Sequence, residues 1–540
     1  MGKCYVCSKP ATQTCTGCKE AVYCSKEHQI AHWKQHKVKC RPYEIQKCPE
    51  LGRFLIATRD IPQGTKLISE HCLVLGPKTS TEPLCLGCYQ PLDPETSSRC
   101  PSCEWPACDA RCPGLTMQDH HLPECIVFSR NPLPARIGRM NYDAVLPLRC
   151  LLMQKKNPKK WKQLLSLESH FSQRDNTNIQ RDNKTHTKIE EKIAKYLKEN
   201  YLSYLEPGII TNTSSEVIHV LCGIIEVNAL EIPTGDGEVM AIYPNACLME
   251  HSCLPNVKYT FNLEDFKIYV ESCGDIKRGV HLCTMYTHTL WGTAARQDHL
   301  KRTKYFTCKC KRCTDPTELG TNFSTLRCIG SSPLDVTEKC DGLVIAKSGD
   351  ENSDWSCTKC PLILSASHVS DLVSRLGAEV DAVMEEPSVG KLEKLISNLQ
   401  KLLHPNHYHC FTVEHSLIQL WGREEGYIHN QMTDSLLNKK IETCRRLETI
   451  TESLDPKGIR TGLYTGVCLL EESLALSEVA KRCKDSVTVE KTVRDARNAL
   501  EKARDVLDDT GPGSKLTSVI NMTYSNVMNE LKKFKIVELT

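Results

Sequence analysis

The amino-acid sequence predicts an α+β chain of several domains, with zinc-binding fingers near its start and an α-helical array at its end. Three observations predict this class. Cysteines and histidines gather in closely spaced pairs, and two such runs, 4–40 and 85–125, each carry eight of them. Apolar residues alternate with polar ones at 51–70 and again within 238–287, the pattern of short strands. From about residue 361 onward the apolar residues recur at three- and four-residue intervals, the pattern of helices.

A chain of 540 residues has room for several cores. Lys+Arg 69 against Asp+Glu 66 leaves a formal charge of +3, so no global field attracts nucleic acid. The opening MGKCYVCSKPATQTC contains no apolar signal core, and no run of about 18 uncharged apolar residues occurs. A soluble, unsecreted chain of the cytoplasm, the nucleus or both is therefore expected, with no membrane partner. The 32 cysteines fall into Cys-x-x-Cys groups mixed with histidines. In a large chain that spacing indicates thiolate ligands for zinc, not disulfides.

The first cluster is Cys4-x2-Cys7, Cys15-x2-Cys18, Cys24-x3-His28 and His36-x3-Cys40. Eight ligands serve two tetrahedral ions. Alternating pairs interleave them as Cys4, Cys7, Cys24 and His28, then Cys15, Cys18, His36 and Cys40. Residues 24–40 read as short helices, because a three-residue gap puts both ligands of a pair on one helical face. A finger this small has almost no apolar core, so metal binding supplies its folding energy. His32 reads as a surface or packing residue.

The second cluster repeats this grammar, giving Cys85, Cys88, Cys108 and Cys112, then Cys100, Cys103, His121 and Cys125. The spacing to Cys125 selects His121 over His120. A third cluster, Cys308-x-Cys310-x2-Cys313, has three ligands and needs a fourth from elsewhere. A fourth comprises Cys328, Cys340, Cys357 and Cys360, with Trp355 beside its last pair. Together these would hold up to six zinc ions. The eleven remaining cysteines, Cys150 and Cys468 among them, read as buried packing thiols.

The first cluster resembles the MYND finger, including Trp33 ahead of the His-x3-Cys ending. Glu250-His251-Ser252-Cys253-x-Pro255-Asn256 resembles the Asn-His-Ser-Cys-x-Pro-Asn signature of SET domains, and Gly279-x5-Met285-Tyr286 the strand that ends in their catalytic tyrosine. Arg296-Gln297-x2-Leu300 and the Cys-x-Cys-x2-Cys ending resemble the post-SET zinc element. The chain is thus similar to SET-and-MYND (SMYD) protein-lysine methyltransferases, in the two-finger branch of the kind known in arthropods. That resemblance implies a β-rich SET fold split by a finger and a helical insertion. Its segments are a MYND finger (1–40), the first SET part (41–84), a second MYND-like finger (85–125) and a helical insertion (126–225). The second SET part (226–290), the post-SET element (291–313), an added Cys4 segment (314–360) and a TPR-like helical domain (361–540) follow.

The resemblance further implies methyl transfer from S-adenosylmethionine to a lysine of a histone tail or another protein. Tyr286 is the implied catalytic residue. Gly52, Arg53, Phe54, Asn228, Glu250, His251, Tyr286 and Phe306 are the implied cofactor contacts, with Phe306 offering a face to the adenine. Cys253 is the implied fourth ligand of the third cluster. MYND fingers imply proline-rich peptide partners, and a monomer is expected. Three positions depart from the family pattern. Phe54 stands where a second glycine of the cofactor turn is usual. Glu250 replaces the signature asparagine, and Lys304-Tyr305-Phe306 shifts one aromatic by a residue. A carboxylate only accepts hydrogen bonds, whereas an amide also donates. Glu250 therefore either meets the cofactor's ammonium while repelling its carboxylate, or faces solvent or pairs with a nearby base, and weaker cofactor binding than the family norm is expected. The alternative function is a catalytically weak or inactive adaptor, a transcriptional co-regulator that recruits proteins through its fingers.

Between the strand-patterned segments, MNYDAVLPLRCLLMQK and THTKIEEKIAKYLKENYL carry helical stripes. No strict tetratricopeptide consensus is visible after 361, so a repeat-like array is the reading. In LHPNHYHC, Pro405 and Asn406 mark a turn between helices, not a metal site. The basic run 34–47 is a solvated face, and the finger spacing does not suit a groove-reading C2H2 finger, so direct nucleic-acid binding is not expected.

Overall fold

The computed structural model describes residues 2–15, 21–79, 81–93, 96–131, 141–174, 183–206, 208–234, 237–330, 340–350, 352–508, 522 and 524–529. Two units form. One comprises Met1–Glu250, Val257–Leu282 and Thr303–Tyr305, the other His251–Asn256, Cys283–Arg302 and Phe306–Thr540.

The first unit opens with the N-terminal finger. Two-residue ladders pair Gly2–Lys3 with Pro10–Ala11 and Gln13–Thr14 with Val22–Tyr23. Short helices were expected next; instead one helix, α1 (Lys26–Lys39), runs through the segment. Neither glycine nor proline interrupts it, and the Ser25 hydroxyl caps it by accepting from the His28 amide. Among the described residues, the finger's buried apolar set is Cys4, Ala11, Cys15, Ala21, Tyr23 and Cys40.

Strands β1 (Tyr43–Cys48) and β2 (Gly52–Ala57) form a hairpin in which Cys48 faces Gly52 and Gln46 faces Phe54. Gly52 takes φ +68°, a left-handed conformation natural to glycine. Six more strands complete the β-rich part: β3 (Lys66–Glu70), β4 (Val74–Pro77), β5 (Leu230–Thr234), β6 (Gly237–Ile242), β7 (Val257–Phe261) and β8 (Ile268–Ser272). They make two antiparallel sheets, ordered β5-β6-β4 and β7-β8-β3. Direct pairing of β4 with β6, Leu75 opposite Ala241, makes everything between them an insertion. Along β8 the inward residues Ile268, Val270 and Ser272 are buried and Tyr269 is exposed, the period of two that a half-buried strand requires.

The insertion holds the second finger and the helices α2 (Leu122–Phe128), α3 (Val145–Lys156) and α4 (Ser215–Asn228), with shorter turns among them. Helix α3 is buried almost all round and lies against β4 so closely that a Cβ on Gly76 would come 3.0 Å from Leu146. Glycine is what permits that approach.

In the second unit, a four-stranded sheet (Leu326–Arg327, Leu343–Ala346, Trp355–Cys357, Ile363–Leu364) precedes six long helices. They are α5 (Ala366–Glu385), α6 (Val389–Leu402), α7 (Tyr408–Leu420), α8 (Asp434–Leu454), α9 (Gly462–Arg482) and α10 (Ser486–Asp508). Ser365, Ser388 and Thr433 cap three of them through side-chain oxygens. LHPNHYHC forms the turn between α6 and α7, where the buried His407 Nδ1 accepts from the His409 amide. Among the described residues no helix is long and apolar enough to cross a membrane.

Of the eleven cysteines read as buried packing thiols, Cys150, Cys222, Cys273, Cys410, Cys444 and Cys468 are buried. Cys48, Cys72, Cys247, Cys283 and Cys483 are only half-buried. Local apolar neighbours do not report whether a strand end or turn faces solvent.

The array's core also encloses a full charge. Lys440 Nζ donates to Glu471 Oε2 at 2.7 Å, to the Trp421 carbonyl at 2.5 Å and to His429 Nε2 at 2.9 Å, with the Lys440 side chain wholly buried. Glu471 also accepts from Arg423 Nη2 at 2.7 Å, so removing Lys440 leaves the buried carboxylate one partner short, at a cost near the lower end of the about 3–5 kcal/mol of a stranded charge. Lys440→Met is therefore expected to lower the unfolding free energy of the helical array by about that amount, read from urea denaturation followed by far-ultraviolet circular dichroism.

Candidate functional site

The ligand residues converge as tetrahedra. Five groups bring four donor atoms within 4.8 Å of one another. They are Cys4, Cys7, Cys24 and His28; Cys85, Cys88, Cys108 and Cys112; Cys100, Cys103, His121 and Cys125; Cys253, Cys308, Cys310 and Cys313; and Cys328, Cys340, Cys357 and Cys360. Sγ–Sγ separations are 3.5 Å for Cys7–Cys24, 3.4 Å for Cys88–Cys108, 3.7 Å for Cys100–Cys125 and 3.5 Å for Cys253–Cys313. A disulfide needs about 2.05 Å. A tetrahedron with Zn–S bonds of about 2.3 Å has edges of about 3.8 Å, and these distances match that figure. Cys15 and Cys40 also stand 3.6 Å apart, with His36 buried nearby in the finger; Cys18 lies outside the described residues.

The local backbone suits thiolates too. In the fourth cluster the amides of Gly330, Gly342 and Lys359 point at Cys328, Cys340 and Cys357 Sγ at 3.3–3.4 Å. A Cβ on Gly342 would sit 2.4 Å from Cys357 Sγ, so that knuckle closes only around glycine. Of the ambiguous histidines, His120 faces the Gly87 carbonyl at 2.7 Å while His121 joins the ligands. His32 packs beside Tyr23, its Nδ1 3.0 Å from the phenol oxygen.

The third cluster sits beside the implied catalytic tyrosine. Cys253, Cys308 and Cys313 are buried, and Tyr286, Phe306 and Cys310 pack against them. The signature loop is stitched to the strand end before Tyr286. Ser252 N–H donates to the Thr284 carbonyl at 2.9 Å, and Asn256 exchanges hydrogen bonds with the Cys283 backbone at 3.1 and 2.8 Å. His251 links ring and metal site. Its Nδ1 accepts from the Tyr286 amide at 2.9 Å, and its Nε2 faces Cys253 Sγ at 3.3 Å. Burial pushes this imidazole down to about 4, so it is neutral near pH 7. With Nδ1 accepting, the network assigns its proton to Nε2, aimed at the thiolate. The ring lies 5.5 Å from that of Tyr286 and 5.8 Å from that of Phe306.

Two arginines buttress this cluster, Arg296 from the run that resembles the post-SET element and Arg460, which the sequence did not single out. Arg296 Nη2 points at Cys313 Sγ at 3.5 Å, and its Nη1 meets Glu318 at 2.8 Å. Burial alone would raise the Glu318 carboxyl, but the guanidinium groups of Arg296 and Arg312 hold it at about 2. Arg460, from the turn before α9, donates to Thr284 Oγ1 at 3.2 Å and to the Met285 carbonyl at 3.1 Å, immediately before Tyr286. No spacing pattern connects Arg460 to a strand some 175 residues earlier.

The remaining implied cofactor residues, Gly52, Arg53, Phe54, Asn228 and Glu250, belong to the other unit. Gly52 is open, with no heavy atom within 4 Å of where a Cβ would stand, so the turn can still take a ligand against its backbone. Arg53 Nη2 donates to the Ser166 carbonyl, and Asn228 Nδ2 to the carbonyls of Glu168 and Ile224, all at 2.8 Å. Glu250 pairs with a base: His281 Nδ1 stands 2.8 Å from its Oε2. The same imidazole stacks on Phe54 with centroids 4.4 Å apart and planes at 23°. Lys304 Nζ caps α4 by donating to the carbonyls of Glu226 and Val227, and burial lowers it to about 8. Tyr305 packs on His170 at 4.7 Å, leaving Phe306 as the aromatic beside the third cluster. The open glycine backbone, the guanidinium and the amide suit the carboxylate end of a ligand such as S-adenosylmethionine. Only Glu250 brings a charge at odds with its carboxylate.

Fold and metal sites together define a zinc-rich SET-domain protein. Residues 4–40 match the MYND finger family and residues 52–287 the SET domain family. The chain is 28% identical over 329 residues to the SET domain-containing protein SmydA-8, isoform B, of Drosophila melanogaster, covering 59% of this chain and 66% of that protein. It is 30% identical over 230 residues to the human N-lysine methyltransferase SMYD2, covering 41% of this chain and 48% of that one. The rat SMYD2 is 31% identical over 228 residues, with the same coverage. The matched stretch thus spans just under two thirds of the fly relative and about half of the mammalian ones. The chain thus carries a MYND finger at 4–40 and a SET domain at 52–287, and is similar over those regions to SmydA-8 and SMYD2.

Native mass spectrometry is expected to find six zinc ions per chain: one for each of the five complete groups and one for Cys15, Cys18, His36 and Cys40. Cys340→Ser is expected to remove one ion and leave the others bound.

Proposed function

We propose that this protein is a protein-lysine N-methyltransferase acting on a histone tail or another protein, in the cytoplasm, the nucleus or both. The observation that carries the reading is the His251 bridge, which fixes the Tyr286 backbone to the thiolate of Cys253. Bound S-adenosylmethionine would supply an electrophilic methyl on a sulfonium. The protein's part is positioning. Tyr286 is the group that would orient the incoming lysine amine through its hydroxyl and stabilise charge as it shifts. Gly52, Arg53 and Asn228 are the candidate contacts for the cofactor's polar end, and Phe306 for its adenine.

The N-terminal finger has the surface of a docking module. Tyr5, Val6, Ile30 and Trp33 are exposed there, which suits a proline-rich peptide. The weak or inactive adaptor is supported by one observation, the Phe54–His281–Glu250 contact at the cofactor turn.

Calorimetric titration of zinc-loaded protein with S-adenosylhomocysteine separates the two. Micromolar binding is expected, and Tyr286→Phe is expected to keep that binding while lowering methylation of a histone mixture by about 100-fold or more. Absence of binding by a folded, metal-replete sample would leave the adaptor. Glu250→Gln removes the carboxylate charge but keeps the reach to His281, and is expected to tighten S-adenosylhomocysteine binding in the same titration. An unchanged affinity would show that Glu250 does not oppose the cofactor.

A further inference from the structure

The two fingers are built differently. The N-terminal one has a small core of its own. The second has none: Cys85, Leu86, Tyr89, Cys100, Cys103 and Trp105 belong to the same buried cluster as Leu55, Val239, Ala241 and Ile268 of the sheets. Trp105 stacks on Phe128 at 4.5 Å, and the Tyr142 hydroxyl donates to the Leu84 carbonyl at 2.9 Å.

Its two metal sites also differ. In one, Cys85 and Cys112 are buried, but Cys108 is exposed and Cys88 half-buried. In the other, Cys100, Cys103, His121 and Cys125 are all buried, and the His121 side chain is 0% exposed. His121 Nε2 faces Cys103 Sγ at 3.2 Å, and Nδ1 faces Glu124 Oε1 at 3.2 Å. A metal on Nε2 leaves the ring proton on Nδ1, where Glu124 accepts it. Glu124, equally buried, accepts in turn from Arg149 Nη2. Arg149, on α3, also donates to the Leu75 carbonyl of β4 at 2.6 Å, to the Tyr89 hydroxyl at 2.5 Å and to the Leu86 carbonyl at 3.4 Å. One guanidinium therefore joins the buried metal site, the Cys85–Cys88 knuckle and a strand of the SET sheet.

We infer that the second finger is a structural part of the SET core and not a docking module. The ion of Cys100, Cys103, His121 and Cys125 is held by the Glu124–Arg149 relay and leaves only when that core opens, while the ion of Cys85, Cys88, Cys108 and Cys112 exchanges alone. Glu124 and Arg149 are positioning residues for the buried ion. Groups this deep in a shared core cannot meet a chelator or a second protein without displacing the sheet around them.

The test is zinc release from the full-length, zinc-loaded protein to a chromophoric chelator, with near-ultraviolet circular dichroism recorded on the same sample. One slow ion is expected to leave at the rate at which the aromatic signal collapses. Cys108→Ser is expected to delete one fast ion and keep that signal. Glu124→Gln is nearly isosteric, and is expected to speed release of the slow ion by about 10- to 100-fold, the usual weight of a partner that orients a histidine ligand. Arg149→Lys is expected to have a smaller effect in the same direction. Should Glu124→Gln fail to fold, the wild-type comparison still decides. All ions leaving while the aromatic signal persists would overturn the inference, as would a folded Glu124→Gln protein with an unchanged slow phase.

Discussion

Three or four thiolates cannot share a buried volume less than 5 Å across without a cation among them. Their mutual repulsion and their desolvation both oppose it. The rest of this structure is arranged around that constraint. Each knuckle supplies backbone amides or a glycine where the sulfur atoms crowd, as at Cys340-x-Gly342. Side chains of opposite or complementary character stand behind the ligands: Arg296 at Cys313, and His251 at Cys253. A fold with this many thiolate groups needs its metal to be a fold at all.

The constraint also explains how one element came to serve two purposes. The loop 251–256 carries both a zinc ligand and the imidazole that accepts from the Tyr286 amide. Fixing Cys253 in a tetrahedron fixes His251 two residues before it, and through it the backbone of Tyr286. The signature loop and the strand end are tied by further backbone bonds at Ser252 and Asn256, so the tyrosine's place does not depend on its own side-chain packing alone.

What could be read from the sequence follows from how local each interaction is. Zinc pairs are separated by two or three residues, so their spacing is visible directly, and so is the alternation behind β2, β3, β7 and β8. The choice of His121 over His120 came from the same local rule. The fourth ligand of the third cluster, Cys253, lies 55 residues from Cys308, and only the resemblance to SET domains pointed to it. Nothing pointed to Arg149, His281 or Arg460, because each acts on a partner that folding, not sequence, brings near. The short helices expected over 24–40 merged into one because the ligand spacing marks a helical face without marking where a helix ends. Cys72, in a loop, and Cys247, in a 3-10 turn, pack against the core but keep part of their surface open, which local apolar neighbours do not report.

Phe54 and Glu250 look like two independent departures when read along the chain, 196 positions apart. They are one departure in space. His281 is bridged to Ile56 of β2, and the Leu282 amide donates to the Leu55 carbonyl, which sets the imidazole beside Phe54. With a glycine at 54 that face of the ring would have no partner. With an asparagine at 250, a shorter side chain would have to reach the same Nδ1. The three residues therefore satisfy one another: the phenyl ring shields the imidazole, and the imidazole donates to the carboxylate. A charge held in that way is less mobile than a lone carboxylate. The identity of a single signature residue is thus a poor guide to the electrostatics of this turn; the contact between the three side chains is the quantity that matters.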